Sequence, residues 1–185
     1  PNIDISVFKE YAFYISCMND HLDISKWLLS IKPSINICIY SNYIFDELCA
    51  YGKLETVKWL LSIKPNIELK YAFCKACENG HLNTAKWLLH LKPSMENLIT
   101  AQKLFISACK NGHTEIVKWL FSIKQDITND FAFRLACENG HLEIVKWFIV
   151  IHPNQYSYEI VNNNNIFNYI YQFIKKYVVN SSTNE

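Results

Sequence analysis

Apolar residues return along this chain in pairs of short helical stripes separated by a glycine. In one clear example, residues 131–139 read FAFRLACEN, with apolar side chains at 131, 132, 135 and 136, and residues 142–151 read LEIVKWFIVI. Spacing of this kind predicts two amphipathic helices. Gly140 stands between them, where the left-handed residue that closes a helix is cheap only for glycine. In the second stripe Glu143 occupies the first turn, where the helix dipole favours an anion, and it shares a face with Lys146 three residues on. Pro153 then stops the helix, because the residue before a proline is pushed out of helical space.

The same paired pattern occurs five times. Trp27, Trp59, Trp87, Trp119 and Trp147 are separated by 32, 28, 32 and 28 residues. Identical steps connect Phe13, Phe45, Phe73, Phe105 and Phe133, and also Cys17, Cys49, Cys77, Cys109 and Cys137. Gly52, Gly80, Gly112 and Gly140 fill one repeat position, with Asp20 in the first copy. Pro33, Pro65, Pro93 and Pro153 fill another, with Gln125 as the exception. Connectors from the proline position to the next helix alternate between nine residues (SINICIYSN, SMENLITAQ) and five (NIELK, DITND), which accounts for the alternating period. Helices this short do not stand alone in water. Each must bury its stripe on a neighbour, so the pattern predicts an all-α solenoid of about five helix–turn–helix units over residues 1–153.

Outside the array the expectations are simpler. Residues 154–165 are polar and Asn-rich, predicting a loop. Residues 166–179 place Ile166, Tyr169, Ile170, Phe173, Ile174 and Tyr177 at helical spacing, as a helix capping the stack would; a membrane-surface helix or a partner-docking helix would share that pattern. Residues 180–185 predict a disordered tail. Pro1 precedes Tyr11 by ten residues, as Pro33 precedes Tyr43, so the chain starts in mid-repeat and a further repeat is expected upstream.

Composition narrows the function classes. The 185 residues are 50% hydrophobic and 19% charged with a net charge of +1, a globular chain without a global electrostatic bias towards nucleic acid or an anionic membrane. No apolar run reaches the ~18–20 residues that span a bilayer. The N-terminal PNIDISVFKEYAF does not read as a secretory leader. Seven cysteines, an odd number placed in helical segments, point to reduced thiols and a cytoplasmic location.

The repeated phrases ACENGHLEIVKW, ACENGHLNTAKW and ACKNGHTEIVKW, with the weaker SCMNDHLDISKW and LCAYGKLETVKW, resemble the Ala-Ala-x-x-Gly-His and second helix of the ankyrin repeat. The resemblance spans residues 1–153 and implies a helix–turn–helix array that binds other proteins through a concave surface of first helices and loop tips. It implies no enzymatic activity and no cofactor. Trp in the second helix, the Ile-Lys-Pro ending and abundant Ile, Asn and Lys look like ankyrin arrays of large amoeba-infecting viruses, which would place the protein in the host cytoplasm. Two features depart from the family. Its Thr-Pro-Leu-His opening is Tyr-Ala-Phe-Cys at 71–74 and Phe-Ala-Phe-Arg at 131–134. Connectors of five residues are also short for a hairpin finger, so binding through such fingers is discounted for at least half the units.

The Cys-x-x-x-His inside each phrase, as in Cys137 and His141, has the residue types of a zinc site. Each copy supplies only one of each, and Lys53 stands in place of the second copy's His. Zinc needs four ligands within ~2.0–2.3 Å of one point, whereas packed helices stand ~8–10 Å apart. The cysteines are therefore expected as small packing residues, without a metal. Cys74 and Cys77 form a lone C-x-x-C without a βαβ context, which is weak ground for redox work. His21, His81, His113 and His141 are expected to bond turn backbone; they lack a recurring carboxylate partner for catalysis, and the chain has no Gly-rich phosphate loop. Trp147, beside Ile144, Val145 and Phe148, is expected in the core rather than in a ligand ladder. Lys26, Lys58, Lys86, Lys118 and Lys146 form a basic column, but acidic residues three positions earlier in four copies predict a solvated surface and make a nucleic-acid partner a minor alternative.

Repeating positions are thus assigned to packing, and variable ones are free to recognise a partner. Variable pre-turn and mid-helix positions give Tyr51, Glu78, Lys110, Arg134 and Glu138 as expected contacts with another protein. The expected function is a monomeric, non-enzymatic protein-interaction scaffold without a small-molecule substrate. The alternative is a targeting array for a larger effector such as a ubiquitin-ligase adaptor.

Overall fold

The computed structural model describes residues 5–33, 37–93, 101–127, 130–152 and 155, the side chains of 5–9 and 37–41 aside. Among these residues there are ten α-helices and no strand. They fall into two compact units divided between Ile99 and Thr100. The first unit contains α1 (Ile5–Met18), α2 (Leu22–Ile31), α3 (Ile37–Ala50), α4 (Leu54–Ile63), α5 (Leu69–Glu78) and α6 (Leu82–Leu91). The second contains α7 (Ala101–Asn111), α8 (Thr114–Ile123), a short 3-10 turn (Gln125–Ile127), α9 (Asp130–Glu138) and α10 (Leu142–Ile151). Odd-numbered helices are the first of each pair and even-numbered helices the second, as the repeat predicts. The expected loop at 154–165, capping helix at 166–179 and tail at 180–185 lie outside the described residues, apart from Gln155, whose amide donates to Asp130 Oδ1 at 2.7 Å.

Each helix pair turns in the same way. Gly140 N–H donates to the Cys137 carbonyl and His141 N–H to the Ala136 carbonyl, at 3.1 and 2.9 Å, so a left-handed residue satisfies the last carbonyls of the first helix. The other turns repeat this arrangement, with Gly52, Gly80 and Gly112 also at positive φ. Asp20 reaches φ 62° without being glycine, a conformation that short polar side chains enter more readily than most.

Within each unit the core is built from the recurring residues. Phe13, Phe45 and Phe73 are buried in the first unit, and Phe105 and Phe133 in the second. The repeat cysteines beside them are buried as well. Successive first helices pack side by side, with α3 between α1 and α5 in one unit and α7 against α9 in the other.

Two expectations are corrected. The nine-residue connector SINICIYSN is largely helical: α3 begins at Ile37, so the first helix there has 14 residues. The segment ICIYSN contains neither Gly nor Pro, so nothing stops the helix from extending backwards. The five-residue connectors are pinned to the core by Ile67 and Ile127, both buried. Finally, the Trp column lies at the edge of the core. Trp59, Trp87, Trp119 and Trp147 are half-buried, and Trp27 is 60% exposed. A ring this wide covers the core with one face and leaves its far edge in solvent.

Candidate functional site

The junctions between copies determine which side chains remain free for function. In the first unit the His81 ring lies over Gly52, so closely that a Cβ on that glycine would come within 2.8 Å of Cγ. In the second unit His141 lies over Gly112 in the same manner, and its Nε2 is 2.8 Å from the Lys110 carbonyl oxygen. The histidine thus bonds backbone of the preceding copy. No side-chain cap bond is made at its own helix start. Where the turn residue is Asp20, the next copy has Lys53 in place of histidine, and the two form an ion pair at 3.9 Å. Asp20 Oδ1 also accepts from Thr56 Oγ1 at 2.7 Å. These polar groups are therefore joints of the stack.

The cysteines are joints too. Burial pushes the Cys17 thiol up to about 11, and hydrogen bonding with Ser25, whose Oγ lies 3.4 Å from the sulfur, opposes that rise only in part. Burial raises Cys49, Cys77 and Cys109 further still. A thiol held protonated is a poor nucleophile and a poor metal ligand. No cluster of three or more His, Cys, Asp or Glu with metal-site spacing exists among the described residues. In the C-x-x-C, Cys77 is buried in the core and Cys74 is half-exposed.

Three of the five lysines in the second-helix column are balanced locally. Lys58 pairs with Glu55 at 2.7 Å, Lys118 with Glu115 at 3.5 Å and Lys146 with Glu143 at 2.9 Å. Hydrogen bonding from Lys146, and its charge, hold the exposed Glu143 carboxyl below the usual range. With three of its five lysines paired to a carboxylate, the column is an interrupted rather than a continuous basic stripe.

The first helices carry a different kind of surface. Of the variable residues expected at a partner surface, Tyr51 is exposed and Glu78 half-buried in the first unit, while Lys110, Arg134 and Glu138 are exposed in the second. The two sets belong to different units, and each is described by itself.

A second set of residues escaped sequence reasoning. Two positions before each buried Phe, the chain has Tyr11, Tyr43, Tyr71, Lys103 and Phe131, and all five side chains are exposed. The aromatic members expose between 57% and 63% of their surface. Phe131 had been counted with Ala132, Leu135 and Ala136 on one apolar stripe. In the structure Ala132 and Ala136 are buried, whereas Phe131 faces solvent. The available signal was angular: at 100° per residue, a step of two residues turns a side chain away from the face that Phe133 occupies.

Around this column in the first unit stands a group of interacting polar residues. The Tyr11 and Tyr14 rings are 6.3 Å apart. Tyr14 titrates above the usual tyrosine range, mainly through burial, with contributions from the charge of Tyr43 and a hydrogen bond to it, and from Glu47 and Tyr51. Burial likewise raises Asp46 to about 6; Lys75 opposes that shift, while Glu47 and Glu68 add to it. Asp46 Oδ1 is buried and has no hydrogen-bond partner. No helix among the described residues is long and apolar enough to cross a membrane.

Comparison with known proteins agrees with this architecture. The family described as "Ankyrin repeats (3 copies)" matches residues 45–130 and 73–159. The crystal structure of the human ASB11 ankyrin repeat domain superposes with a TM-score of 0.58 at 18% sequence identity, covering 76% of this chain and 68% of that one. No curated protein sequence matches. The match spans more than half the chain: the chain belongs to the ankyrin-repeat family.

Proposed function

We propose that the protein is a non-enzymatic interaction scaffold that binds another protein through the exposed face of its first helices. One observation carries the reading. On a frame of near-identical packed positions, the first helices of the first unit present Tyr11, Tyr43 and Tyr71 to solvent, and the turn after α3 presents Tyr51. Exposed aromatic residues forgo burial and contribute nothing to a core, and large rigid tyrosines are enriched where proteins meet. Tyr51 and Glu78 belong to this surface. In the second unit, Lys110, Arg134 and Glu138 are the candidate contacts, with Phe131 added by its exposure.

We take the working compartment to be the cytoplasm, that of the host if the likeness to viral arrays holds, and the acting species to be a monomer. Buried, unbridged thiols along the core support a reducing compartment.

The test is affinity capture from cell extract followed by mass spectrometry, using the wild-type chain, a Tyr43→Ala/Tyr51→Ala variant and a control with Lys58→Ala and Lys86→Ala on the second helices. Loss of a specific partner in the tyrosine variant alone is the expected result. Loss in the lysine control alone, or equal capture by all three, would contradict the assignment.

A further inference from the structure

Tyr11, Tyr43 and Tyr71 occupy one repeat position on three successive first helices, and their rings are 63%, 57% and 63% exposed. Since α3 packs between α1 and α5, and packed helices stand about 8–10 Å apart, the three rings form the rungs of a ladder with about that spacing. Tyr14 stands beside the first rung, with its ring 6.3 Å from that of Tyr11.

Charge on the ladder is unevenly distributed. Helix α3 carries Asp46 and Glu47 and no basic residue. Glu68, at the start of α5, adds to the negative charge acting on Asp46, and Lys75 of α5 offsets it. Lys70, Lys75 and Glu78 of α5 leave that helix without an acidic excess, so the negative potential is centred on α3, at the middle rung. Aromatic faces attract cations, and a guanidinium can lie flat on a ring while its N–H groups reach a carboxylate. The chemistry at Tyr43, Asp46 and Glu47 therefore selects arginine.

Rung spacing selects the conformation. An extended polyproline-II segment rises 3.1 Å per residue with three residues per turn, so every third side chain returns to the same side after about 9 Å. That rise matches the interval between neighbouring first helices.

We propose that the α1–α3–α5 face is a docking site for an extended segment of a partner protein that carries arginine at every third position, with guanidinium groups over Tyr11, Tyr43 and Tyr71 and counter-charge from Asp46 and Glu47. This rests on the reading of the first-helix face as an interaction surface and names the chemistry of its partner.

Fluorescence anisotropy with three labelled peptides on the intact chain tests it. Two peptides share a composition of three arginines among serines and prolines, with the arginines at every third position or in one block. The third has citrulline in place of each spaced arginine. The spaced peptide is expected to bind about fivefold or more tighter than the block, and the citrulline peptide to lose at least about tenfold. Tyr43→Ala and Glu47→Gln should each weaken the spaced peptide about fivefold, while Lys58→Ala should not. Circular dichroism checks that these surface variants keep their helices. No binding, equal binding of the three peptides, or indifference to Tyr43 and Glu47 would overturn the proposal. If no peptide binds but Tyr43→Ala/Tyr51→Ala still abolishes partner capture, only the arginine chemistry fails. If capture also survives that variant, the interaction-surface reading fails with it.

Discussion

His141 covers Gly112: a Cβ on that glycine would lie 2.6 Å from both Nδ1 and Cε1 of the imidazole, whose Nε2 stands 2.8 Å from the Lys110 carbonyl oxygen. Glycine is required there on two separate grounds, its φ of 80° and the ring above it. Gly112→Ala should therefore destabilise the protein by roughly 2 kcal/mol or more, about 1–2 from left-handed backbone and the rest from overpacking. Adding His141→Ala should remove the overpacking component but not the backbone one. Urea unfolding of the single and double variants measures both, and strictly additive losses would contradict direct contact.

Asp20 and Lys53 occupy the positions that Gly52 and His81 occupy one copy later, and they meet as an ion pair at 3.9 Å. A side chain at the turn is accommodated here because the imidazole that would strike it is absent. Lys53→His alone is expected to cost about 1–2 kcal/mol through crowding against Asp20. Asp20→Gly combined with Lys53→His should recover most of that loss. A double-mutant cycle followed by thermal or urea unfolding gives the coupling; a double variant no better than Lys53→His would refute it.

Asp46 supplies a pH dependence of defined sign. Burial raises its folded-state value from 3.8 to about 6, so between those values the folded chain holds a proton that the unfolded chain has released. This group therefore contributes a loss of stability as pH rises from about 4 to about 6, complete above that range. Asp46→Asn should remove this loss, stabilising the protein at pH 7 by roughly 1 kcal/mol after allowance for solvent screening of a half-exposed group. Unfolding free energies of both proteins at pH 4, 5, 6 and 7 should diverge with increasing pH; parallel curves would rule the assignment out.

The Trp column should divide by neighbourhood. Trp147 contacts Phe105, Phe121 and Phe148, with ring centroids 6.3, 5.1 and 5.2 Å away. Its replacement by Ala should cost roughly 2–4 kcal/mol, less than for a wholly buried ring. Trp27 is 60% exposed, and Ile24 one turn before it is 49% exposed, although Thr56, Thr84 and Ile144 at the position of Ile24 are fully buried. Trp27→Ala should change stability by no more than about 0.5 kcal/mol. Equal losses for the two substitutions, read from chemical denaturation, would show that the burial contrast has no energetic consequence.

Much of this architecture is legible from local spacing. A glycine nine residues after Tyr71 or Phe131 is separated from it by one helix, and the next apolar stripe has the length of another, so the helix pairs and their turns follow without a structure. The buried Phe and Cys columns follow in the same way, because their steps match at every copy. The rule that repeating positions pack while varying positions recognise failed at Tyr11, Tyr43, Tyr71 and Phe131, which recur and yet face solvent. Tyr51, which varies between copies, was found by that rule and does lie exposed.

The sequence by itself thus determined the helix–turn–helix period, the glycine turns and the identity of the innermost residues, since each depends on interactions within a few residues of the backbone. Tertiary structure alone decided that Trp lies at the core's edge, that His141 bonds the preceding copy rather than its own turn, that Ile67 and Ile127 anchor the connectors, and that a tyrosine column remains uncovered. Those outcomes depend on how closely a neighbouring helix approaches and on which side of the ring it stands, quantities set by packing between copies that leave no periodic mark within one.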